Sequence, residues 1–421
     1  MVRIYKYILT IILGLASLVT TAQEEQLETY LQEAGENNPG LQAAFQEYYA
    51  ALEKIAQASA LPDPQLSFGI FIKPVETRLG PQQSKISVSQ MFPWFGTLRE
   101  QENAFAEKAK VKYQYFLSLK NELYKDVKVK YFELYKMSKA VEIITQNLEV
   151  LNSLKKITER NYESGKSEMA DVLRLKVDIR EQENKLEDLK TQLETLKTDF
   201  NLLLNREEQQ DVFVPNELRL DTFNINSMRD SIRANPKINA FTHEEKSLQH
   251  QYEVAKKKGY PDLSVGLDYV FVGERQDMDV MNSGQNVVMP MVGVSIPINR
   301  NKYNSMKKEK QHQLNAVQFN KQERFNRLRA AYKNAEEKYR EGMRNVDLYK
   351  KQAEETRRIF KLLETNYSSD GKDFYELLKT RLMVLEYELK LEQAKAAQNI
   401  AVAKLEYLTG TYSDSGQPVS Q

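Results

Sequence analysis

Two kinds of hydrophobic pattern alternate along the chain. Long stretches place apolar residues three and four positions apart, which is the spacing of a helix that packs against neighbouring helices. In residues 168–204 this seam contains Val172, Leu175, Ile179, Gln182, Leu186, Leu189, Leu193, Leu196, Phe200 and Leu203. In residues 373–409 the equivalent seam contains Leu377, Thr380, Val384, Tyr387, Leu391, Ala394, Gln398, Ala401, Leu405 and Leu408. Both stretches are predicted to be long helices in a bundle.

A still longer helix is predicted before each of these stretches, over residues 97–160 and 301–365. The first carries two neighbouring apolar stripes, the second of which contains Ile143, Val150 and Ile157. Two stripes need helical neighbours on both sides, as in a closed ring of helices. At about 1.5 Å per residue, this helix reaches on the order of 95 Å, which no compact globular domain requires.

Four shorter segments alternate apolar and polar residues, which is typical of β-strands with one apolar face. They form two predicted hairpins, over residues 65–92 and 262–298. Each segment has the ~9–11 residues of a membrane-spanning strand. Ordinary hairpins at the end of a coiled coil, outside any membrane, show the same pattern, and the pattern alone does not exclude them.

Each pattern occurs twice because the chain is a tandem repeat. Asn38-Pro39 recurs as Asn235-Pro236, and the turn from Asn161 to Gly165 recurs from Asn366 to Gly371. We assign residues 23–205 to the first repeat, 206–226 to a linker, 227–410 to the second repeat and 411–421 to a flexible tail.

Residues 1–22 are predicted to be a cleaved signal peptide. They comprise a short basic region, an apolar run and small residues before Gln23. The alternative is an N-terminal membrane anchor, but the apolar run is shorter than the ~18–20 residues that a spanning helix needs. Because Gln23 rather than Cys follows the cleavage site, we expect a secreted chain without a lipid anchor.

Composition excludes several classes of function. The chain has 60 Lys+Arg and 59 Asp+Glu, and a net charge of +1 argues against nucleic acid as a partner. It contains no Cys, and its three His (His243, His250 and His312) lack metal-ligand spacing. We therefore predict no enzyme activity, no cofactor and no metal site. The Met-bearing segment 278–291 is interpreted as a loop and strand, although thioethers suit soft metals.

If the four segments span a membrane, their number also indicates how many chains must form one barrel. In a bilayer every backbone amide must be paired, so a sheet spans only as a closed barrel. Four strands cannot close, since the smallest bacterial barrels have about eight. Several chains would therefore share one barrel. The aromatic residues Phe92, Trp94 and Phe95, at the end of the second segment, are predicted to lie at the membrane interface.

These features resemble the outer-membrane efflux (TolC-type) family across nearly the whole mature chain. The most specific motifs are Leu61-Pro62-Asp63-Pro64 before the first strand and Met91-Phe92-Pro93-Trp94-Phe95-Gly96 after the second. Within the family, these two motifs are most similar to the heavy-metal branch. The turn Tyr162-Glu163-Ser164-Gly165-Lys166, followed by Asp171-Val172-Leu173, is similar to the family's periplasmic helix-hairpin tip.

The resemblance implies a mainly α-helical protomer with a membrane β-barrel. Three chains would form a homotrimer with one 12-stranded barrel that continues into an α-helical tunnel through the periplasm. The expected location is the outer membrane, in contact with outer-membrane lipid. The implied partners are a periplasmic adaptor (membrane fusion) protein and an inner-membrane pump of the RND type. The implied function is a passive exit duct for small molecules or metal cations.

Two sets of site residues follow. By resemblance, the adaptor docks on the hairpin tips, at Tyr162, Ser164, Gly165, Lys166, Tyr367, Ser369, Gly371 and Lys372. Beside the seams, charged stripes form a candidate gate of Asp171, Arg174, Asp178, Asp373, Glu376 and Arg381. Carboxylates facing a pore would favour cations. The alternative for each charge is a solvated helix face, where an ion pair contributes only about 0.2–0.5 kcal/mol.

A different class of protein, an exported coiled-coil tether without a pore, also fits part of the sequence. It accounts for the helical seams and for the mean hydropathy of -0.60. It does not account for hairpins at matched positions in both repeats. We therefore favour the exit duct.

Overall fold

The computed structural model describes residues 26–224 and 229–410. The predicted signal peptide, the end of the predicted linker and the predicted tail therefore lie outside the described residues. The chain divides into two compact units. Among the described residues, a helical unit comprises 26–43, 116–224, 229–236 and 325–410, and a strand unit comprises Ala44–Tyr115 and Lys237–Arg324.

Long helices and four strands make up the fold. In chain order the elements are α1 (residues 26–37), α2 (Pro39–Ser59), β1 (Gln65–Thr77), β2 (Gly80–Phe92), α3 (Thr97–Glu163), α4 (Met169–Leu203), a 3-10 helix (Arg229–Ala234), α5 (Pro236–Lys257), β3 (Asp262–Val272), β4 (Val287–Ser295), α6 (Arg300–Asp370) and α7 (Phe374–Thr409). The predicted fold class, long helices with two hairpins, is confirmed. Strand β4 ends at Ser295 rather than at residue 298, because Pro297 has no N–H to continue a ladder.

All four strands lie in one antiparallel sheet in the order β1-β2-β3-β4. The two hairpins are joined by pairing between β2 and β3, which the sequence did not predict. The register aligns side chains in rows across the sheet. One apolar row is Phe68, Ile86, Tyr269 and Val288, and the neighbouring row is Ser67, Ser87, Asp268 and Met289. One face of the sheet is therefore apolar across all four strands, and the opposite face carries the polar residues.

The apolar face is open to the surroundings in the single chain. The exposed fractions are 65% for Phe68, 96% for Ile72 and 79% for Val292. Neither α2 nor α5, the short helices of the strand unit, covers these side chains. An apolar patch this continuous on a sheet is typical of a surface that contacts lipid or another protein.

The core of the helical unit is built mainly from α1, α3, α4, α6 and α7. One buried cluster includes Tyr131, Phe132 and Phe200, and a second, near the turns that join the long helices, includes Leu151 and Phe360. The predicted seam of α4 is buried at Val172, Leu175, Ile179 and Gln182. Further along α4 the seam residues Leu186, Leu189, Leu193 and Leu196 are only half-buried.

The segment that follows α4 is held against the helical unit by hydrogen bonds. The Asn201 amide donates to the carbonyl oxygens of Glu208, at 2.9 Å, and Gln210, at 2.8 Å. The backbone N–H of Phe213 donates to the Tyr30 hydroxyl at 3.0 Å. Leu218 is buried in the first core cluster. The predicted linker is thus packed on the helices over its described part.

Candidate functional site

The first helix turn joins α3 to α4 through a Schellman motif. The N–H of Gly165 donates to the Tyr162 carbonyl at 2.9 Å, and the N–H of Lys166 donates to the Asn161 carbonyl at 2.8 Å. Gly165 has a φ of 73°, in the left-handed region that side chains disfavour. The sequence therefore reverses direction here because a glycine occupies the position that needs this conformation.

The second turn, between α6 and α7, closes differently. A single hydrogen bond runs from the N–H of Gly371 to the Tyr367 carbonyl at 3.0 Å, which is the simpler left-handed cap. Gly371 has a φ of 72°, and Asp373, the next residue but one, also has a positive φ of 64°. The second turn, which has one more residue than the first, is therefore still a tight turn but is closed by a different type of cap.

The two turns contact each other. The Asn161 amide donates to the Tyr367 carbonyl at 3.1 Å, and the Lys166 ammonium donates to the Ser369 carbonyl at 3.1 Å. A Cβ placed on Gly371 would lie 2.6 Å from the Lys166 carbonyl oxygen. The predicted tip residues from both repeats therefore form one surface. Asn161, which joins the turns, was missed by the sequence analysis, and its only signal was its repetition as Asn366.

The predicted docking residues fall into two groups. Tyr367 and Gly371 are buried, and the Tyr367 ring packs on Phe374 with a centroid distance of 5.6 Å. The exposed group contains Tyr162, Ser164, Gly165, Lys166, Ser369 and Lys372. Only the exposed group is available to a partner, while the buried group supports the turns.

The predicted gate charges of α4 lie just after the first turn. Asp171 accepts from the N–H of Glu168 at 3.4 Å and lies 3.6 Å from Arg174, so it also caps the helix. Burial raises the pKa of Asp178 above its usual value of 3.8, and the Glu181 carboxylate raises it further. The nearby Glu181 carboxylate thus disfavours the charged form of Asp178.

The predicted gate charges of α7 have different surroundings. Asp373 precedes the helix, and Glu376 is exposed at 3.7 Å from Lys379. Arg381 is buried, its Nε donates to the Asn147 side chain at 2.7 Å, and its guanidinium lies over the Phe360 ring at 5.5 Å. Burial lowers the pKa of Arg381 below its usual value, because a charge is costly in that environment.

A groove of about 840 Å³ runs between α4 and α7 beside these charges. Its lining includes the exposed apolar side chains Leu173, Val177 and Tyr375, with Arg174 and Asp178 among the charged lining residues. A partly apolar groove with mixed charges suits a protein segment rather than a small polar ligand.

The predicted interface aromatics are part of a cluster at one end of the sheet. Trp94 stacks on Tyr260 with a centroid distance of 5.2 Å and packs edge-on against Phe95 at 5.7 Å. The Asp262 carboxylate accepts a hydrogen bond from the backbone N–H of Trp94 at 3.1 Å. Phe92 belongs to the exposed apolar face of the sheet. Tyr260 was missed by the sequence analysis, and its signal was an aromatic residue before Pro261, at the start of the third strand.

The polar face of the sheet holds an ion pair that the sequence analysis also missed. The Lys85 ammonium lies 2.9 Å from the Asp268 carboxylate, whose side chain is fully buried. Both charges lie near the middle of central strands, where a charge needs a partner. Among the described residues, no group of three or more His, Asp or Glu side chains is placed to hold a metal ion.

Among the described residues, no helix contains a stretch both long and apolar enough to cross a lipid bilayer. The sequence matches the family described as outer membrane efflux protein over residues 30–206 and 228–411. This match covers most of the chain and both repeats, so the chain belongs to the outer membrane efflux protein family.

Solved structures with the same fold are distant in sequence. The outer-membrane channel OprN is 16% identical, with a TM-score of 0.75, and the similarity covers 92% of this chain and 90% of OprN. VceC from Vibrio cholerae is 13% identical, with a TM-score of 0.75 over 92% of this chain and 96% of VceC. CusC is 14% identical, with a TM-score of 0.74 over 91% of this chain and 92% of CusC. These nearly equal scores do not distinguish branches of the family. No curated protein sequence matches the chain.

Proposed function

We propose that the chain is the outer-membrane exit duct of a tripartite export system, through which small molecules or metal cations pass. A periplasmic adaptor and an inner-membrane pump of the RND type would supply the energy, and the duct itself would be passive. The observation that carries this proposal is the four-stranded sheet, which exposes one continuous apolar face. Strands β1 and β4 each pair on one side only among the described residues.

Open sheet edges support a homotrimer. In lipid an unpaired edge leaves backbone amides without partners, so the outer sides of β1 and β4 need further strands. The family resemblance supplies three copies and therefore 12 strands, which exceeds the minimum of about eight for a closed barrel. The half-buried residues Leu186, Leu189, Leu193 and Leu196 of α4 leave apolar surface for the helix of a neighbouring copy.

The mass of the protein extracted from outer membranes tests this assembly. We expect light scattering, corrected for detergent, to give about three times the mass of one chain. Single-channel recordings should then show conductance. A monomer, a protein released without detergent, or a trimer without conductance would favour the coiled-coil tether instead.

Docking of the adaptor on the paired turns is supported by their exposed side chains. Since the chain has no Cys, Ser164→Cys introduces a single thiol at the tip. We expect this thiol to cross-link to the adaptor in the assembled complex. Ser153→Cys, at an exposed position on α3, is the matched control and should cross-link far less. Equal cross-linking at both positions would remove the docking role.

A gate near the turns is supported by the stripe of charges beside the α4–α7 groove. In a closed trimer these charges would hold neighbouring helices together, and their neutralisation should raise the resting conductance. Arg174→Gln and Asp178→Asn test this, because both residues line the groove. If both variants have the same resting conductance as the unsubstituted trimer, these charges do not form a gate and belong to a solvated helix face.

The cargo and the processing of the chain can be tested separately. The motifs of the heavy-metal branch favour metal cations, so a deletion strain should be more sensitive to metal salts than to organic toxicants. Greater sensitivity to organic compounds would favour small organic molecules as the cargo.

The predicted cleavage of the signal peptide is tested on the protein from outer membranes. Its amino-terminal sequence should begin at Gln23, without a lipid, if the signal peptide is cleaved as predicted.

A further inference from the structure

A polar cleft of about 440 Å³ opens at the start of α6, within the strand unit. Tyr252 of α5 forms one side of it. The α6 side is lined by Asn301, Asn304, Ser305, Lys307, Lys308 and Gln311. No carboxylate is among the lining residues. Two ammonium groups surrounded by amide and hydroxyl donors favour an anion with several acceptor oxygens.

The two lysines of the cleft are not neutralised by the rest of the chain. Within residues 26–224 and 229–410, neither Lys307 nor Lys308 has an ion-pair partner. The nearest carboxylate in sequence, Glu309, pairs instead with Lys310 at 3.0 Å. The first turn of α6 contains no acidic residue, so its N–H groups add a partial positive charge to the same end of the helix.

The cleft is close to the aromatic cluster at the end of the sheet. A Cβ on Gly259 would lie 3.6 Å from the Tyr303 side chain, so the start of α6 packs on the end of α5. The next residue, Tyr260, stacks on Trp94. Aromatic rings of this kind are enriched where a protein crosses the boundary between hydrocarbon and water.

The apolar face of β4 leads directly to α6. Beyond the strand, Ile296 is 69% exposed and Ile298 is 88% exposed, and α6 begins two residues later at Arg300. The loop between β3 and β4, at the other end of the sheet, carries Glu274 and Asp279 besides the ion pair of Arg275 with Asp277. The start of α6, at the end that carries the aromatic cluster, carries Arg300, Lys302, Lys307 and Lys308.

We propose that this cleft binds the phosphate of an anionic phospholipid headgroup in the leaflet of the outer membrane that faces the periplasm. The inference rests on the proposed function, because it requires the sheet to span that membrane. Lysine side chains beside a bilayer attract anionic headgroups, and the amide side chains supply the remaining donors. The acyl chains would lie along the exposed apolar face that ends at Ile298.

The single tryptophan of the chain, Trp94, allows a direct test. The full-length protein is reconstituted in phosphatidylcholine vesicles with increasing amounts of phosphatidylglycerol that carries brominated acyl chains, which quench tryptophan fluorescence. We expect phosphatidylglycerol to be preferred about ten-fold over phosphatidylcholine beside Trp94. In Lys307→Gln/Lys308→Gln we expect this preference to fall to about two-fold.

The matched control is Lys155→Gln/Lys156→Gln. These two lysines are also adjacent on a long helix, and as in the cleft one is half-buried and the other exposed. The control should keep the preference of the unsubstituted protein. An unchanged preference in Lys307→Gln/Lys308→Gln would overturn the headgroup site.

Two further outcomes separate the possible failures. If inorganic phosphate binds the unsubstituted protein but not Lys307→Gln/Lys308→Gln, while phosphatidylglycerol is not preferred over phosphatidylcholine, the cleft binds free phosphate and the lipid assignment is wrong. If brominated phosphatidylcholine itself does not quench Trp94, the residue is not beside lipid, and the proposed membrane location of the sheet fails. Quenching by both lipids without a preference would reject the headgroup site alone.

Discussion

The side-chain amide of Asn161 donates a hydrogen bond to the backbone carbonyl of Tyr367 at 3.1 Å, which joins the turns of the two repeats. The same carbonyl accepts the N–H of Gly371 and so closes the second turn. Both side chains are buried, with exposed fractions of 7% and 1%. One side chain of the first repeat therefore stabilises the turn of the second.

Removing this amide should weaken the paired turns. Asn161→Ala deletes a buried hydrogen bond, which costs about 1–2 kcal/mol of the free energy of unfolding. Hydrogen exchange at the Gly371 amide should become faster, because the Tyr367 carbonyl that accepts its hydrogen bond is no longer held by the Asn161 amide. Asn366→Ala is the matched control, since Asn366 is the repeat counterpart of Asn161 but is exposed. Equal effects of the two substitutions would contradict this role of Asn161.

The two turn glycines should differ in their tolerance of a side chain. Gly165→Ala and Gly371→Ala meet the same backbone strain, of about 1–2 kcal/mol, because their φ angles are 73° and 72°. A Cβ at residue 165 has no atom within 4 Å, whereas a Cβ at residue 371 would lie 2.6 Å from the Lys166 carbonyl. We expect urea unfolding in detergent to show the greater destabilisation for Gly371→Ala, by about 1–3 kcal/mol. A greater loss for Gly165→Ala would show that the turns are packed differently.

Residue spacing alone could predict the helices and strands but not the contacts between the repeats. The periods of the α4 seam and of β1 are local, so they appear directly in the sequence. Tyr162 and Tyr367 occupy equivalent repeat positions, yet Tyr162 is 47% exposed and Tyr367 is 1% exposed. Which tyrosine is buried depends on how the second turn packs on the first, and that contact joins residues far apart in the chain.

The charged residues of the candidate gate also could not be sorted into buried and exposed from residue spacing alone. A stripe of charges beside a helical seam does not distinguish an exposed charge from a buried one. Arg174 has a 60% exposed side chain, whereas Arg381 is buried against Asn147 and Phe360. The difference arises because Asn147 of α3 and Phe360 of α6 contact Arg381, and the charged stripe of α7 contains neither residue.

Arg381 should therefore matter for stability more than Arg174 does. Arg381→Ala leaves the buried Asn147 side chain without its partner and removes the contact with Phe360, at a cost of about 2–4 kcal/mol. Arg174→Ala should change the free energy of unfolding by less than about 0.5 kcal/mol, because the side chain is exposed. Thermal unfolding of both variants in detergent measures the difference. Similar losses would mean that Arg381 is not held in the interior.

The two faces of β1 should differ in their tolerance of charge. Phe68 lies on the exposed apolar face, and its neighbour Ser67 lies on the polar face. If the sheet spans the membrane, Phe68→Arg places a charge against lipid at a cost of about 2–4 kcal/mol near the midplane. Ser67→Arg, one residue away, should be tolerated. The yield of trimer in outer membranes compares them, and equal yields would argue against a lipid-facing sheet.

Acid should weaken the strand unit through Glu107 of α3. Its carboxylate accepts from Lys110 at 2.7 Å and lies 2.7 Å from the Nδ1 of His243 on α5. Burial alone would raise the pKa of Glu107, but these two partners lower it below the usual 4.5. Because the folded chain favours the carboxylate, this contribution to stability is fully present above the usual pKa. It is lost as the pH falls through the lower pKa of the folded state.

Glu107→Gln should remove this pH dependence. At neutral pH the substitution should lower the free energy of unfolding by about 1–3 kcal/mol, since hydrogen bonds to a charged group are lost. The difference from the unsubstituted protein should shrink as the pH is lowered from about 6 to about 3, because the native carboxylate then becomes protonated as well. Urea unfolding in detergent across this range measures it. Glu102→Gln, at an exposed position on the same helix, is the control and should show no such change. A difference for Glu107→Gln that stays constant with pH would mean that its carboxylate has the same pKa in the folded and unfolded chain.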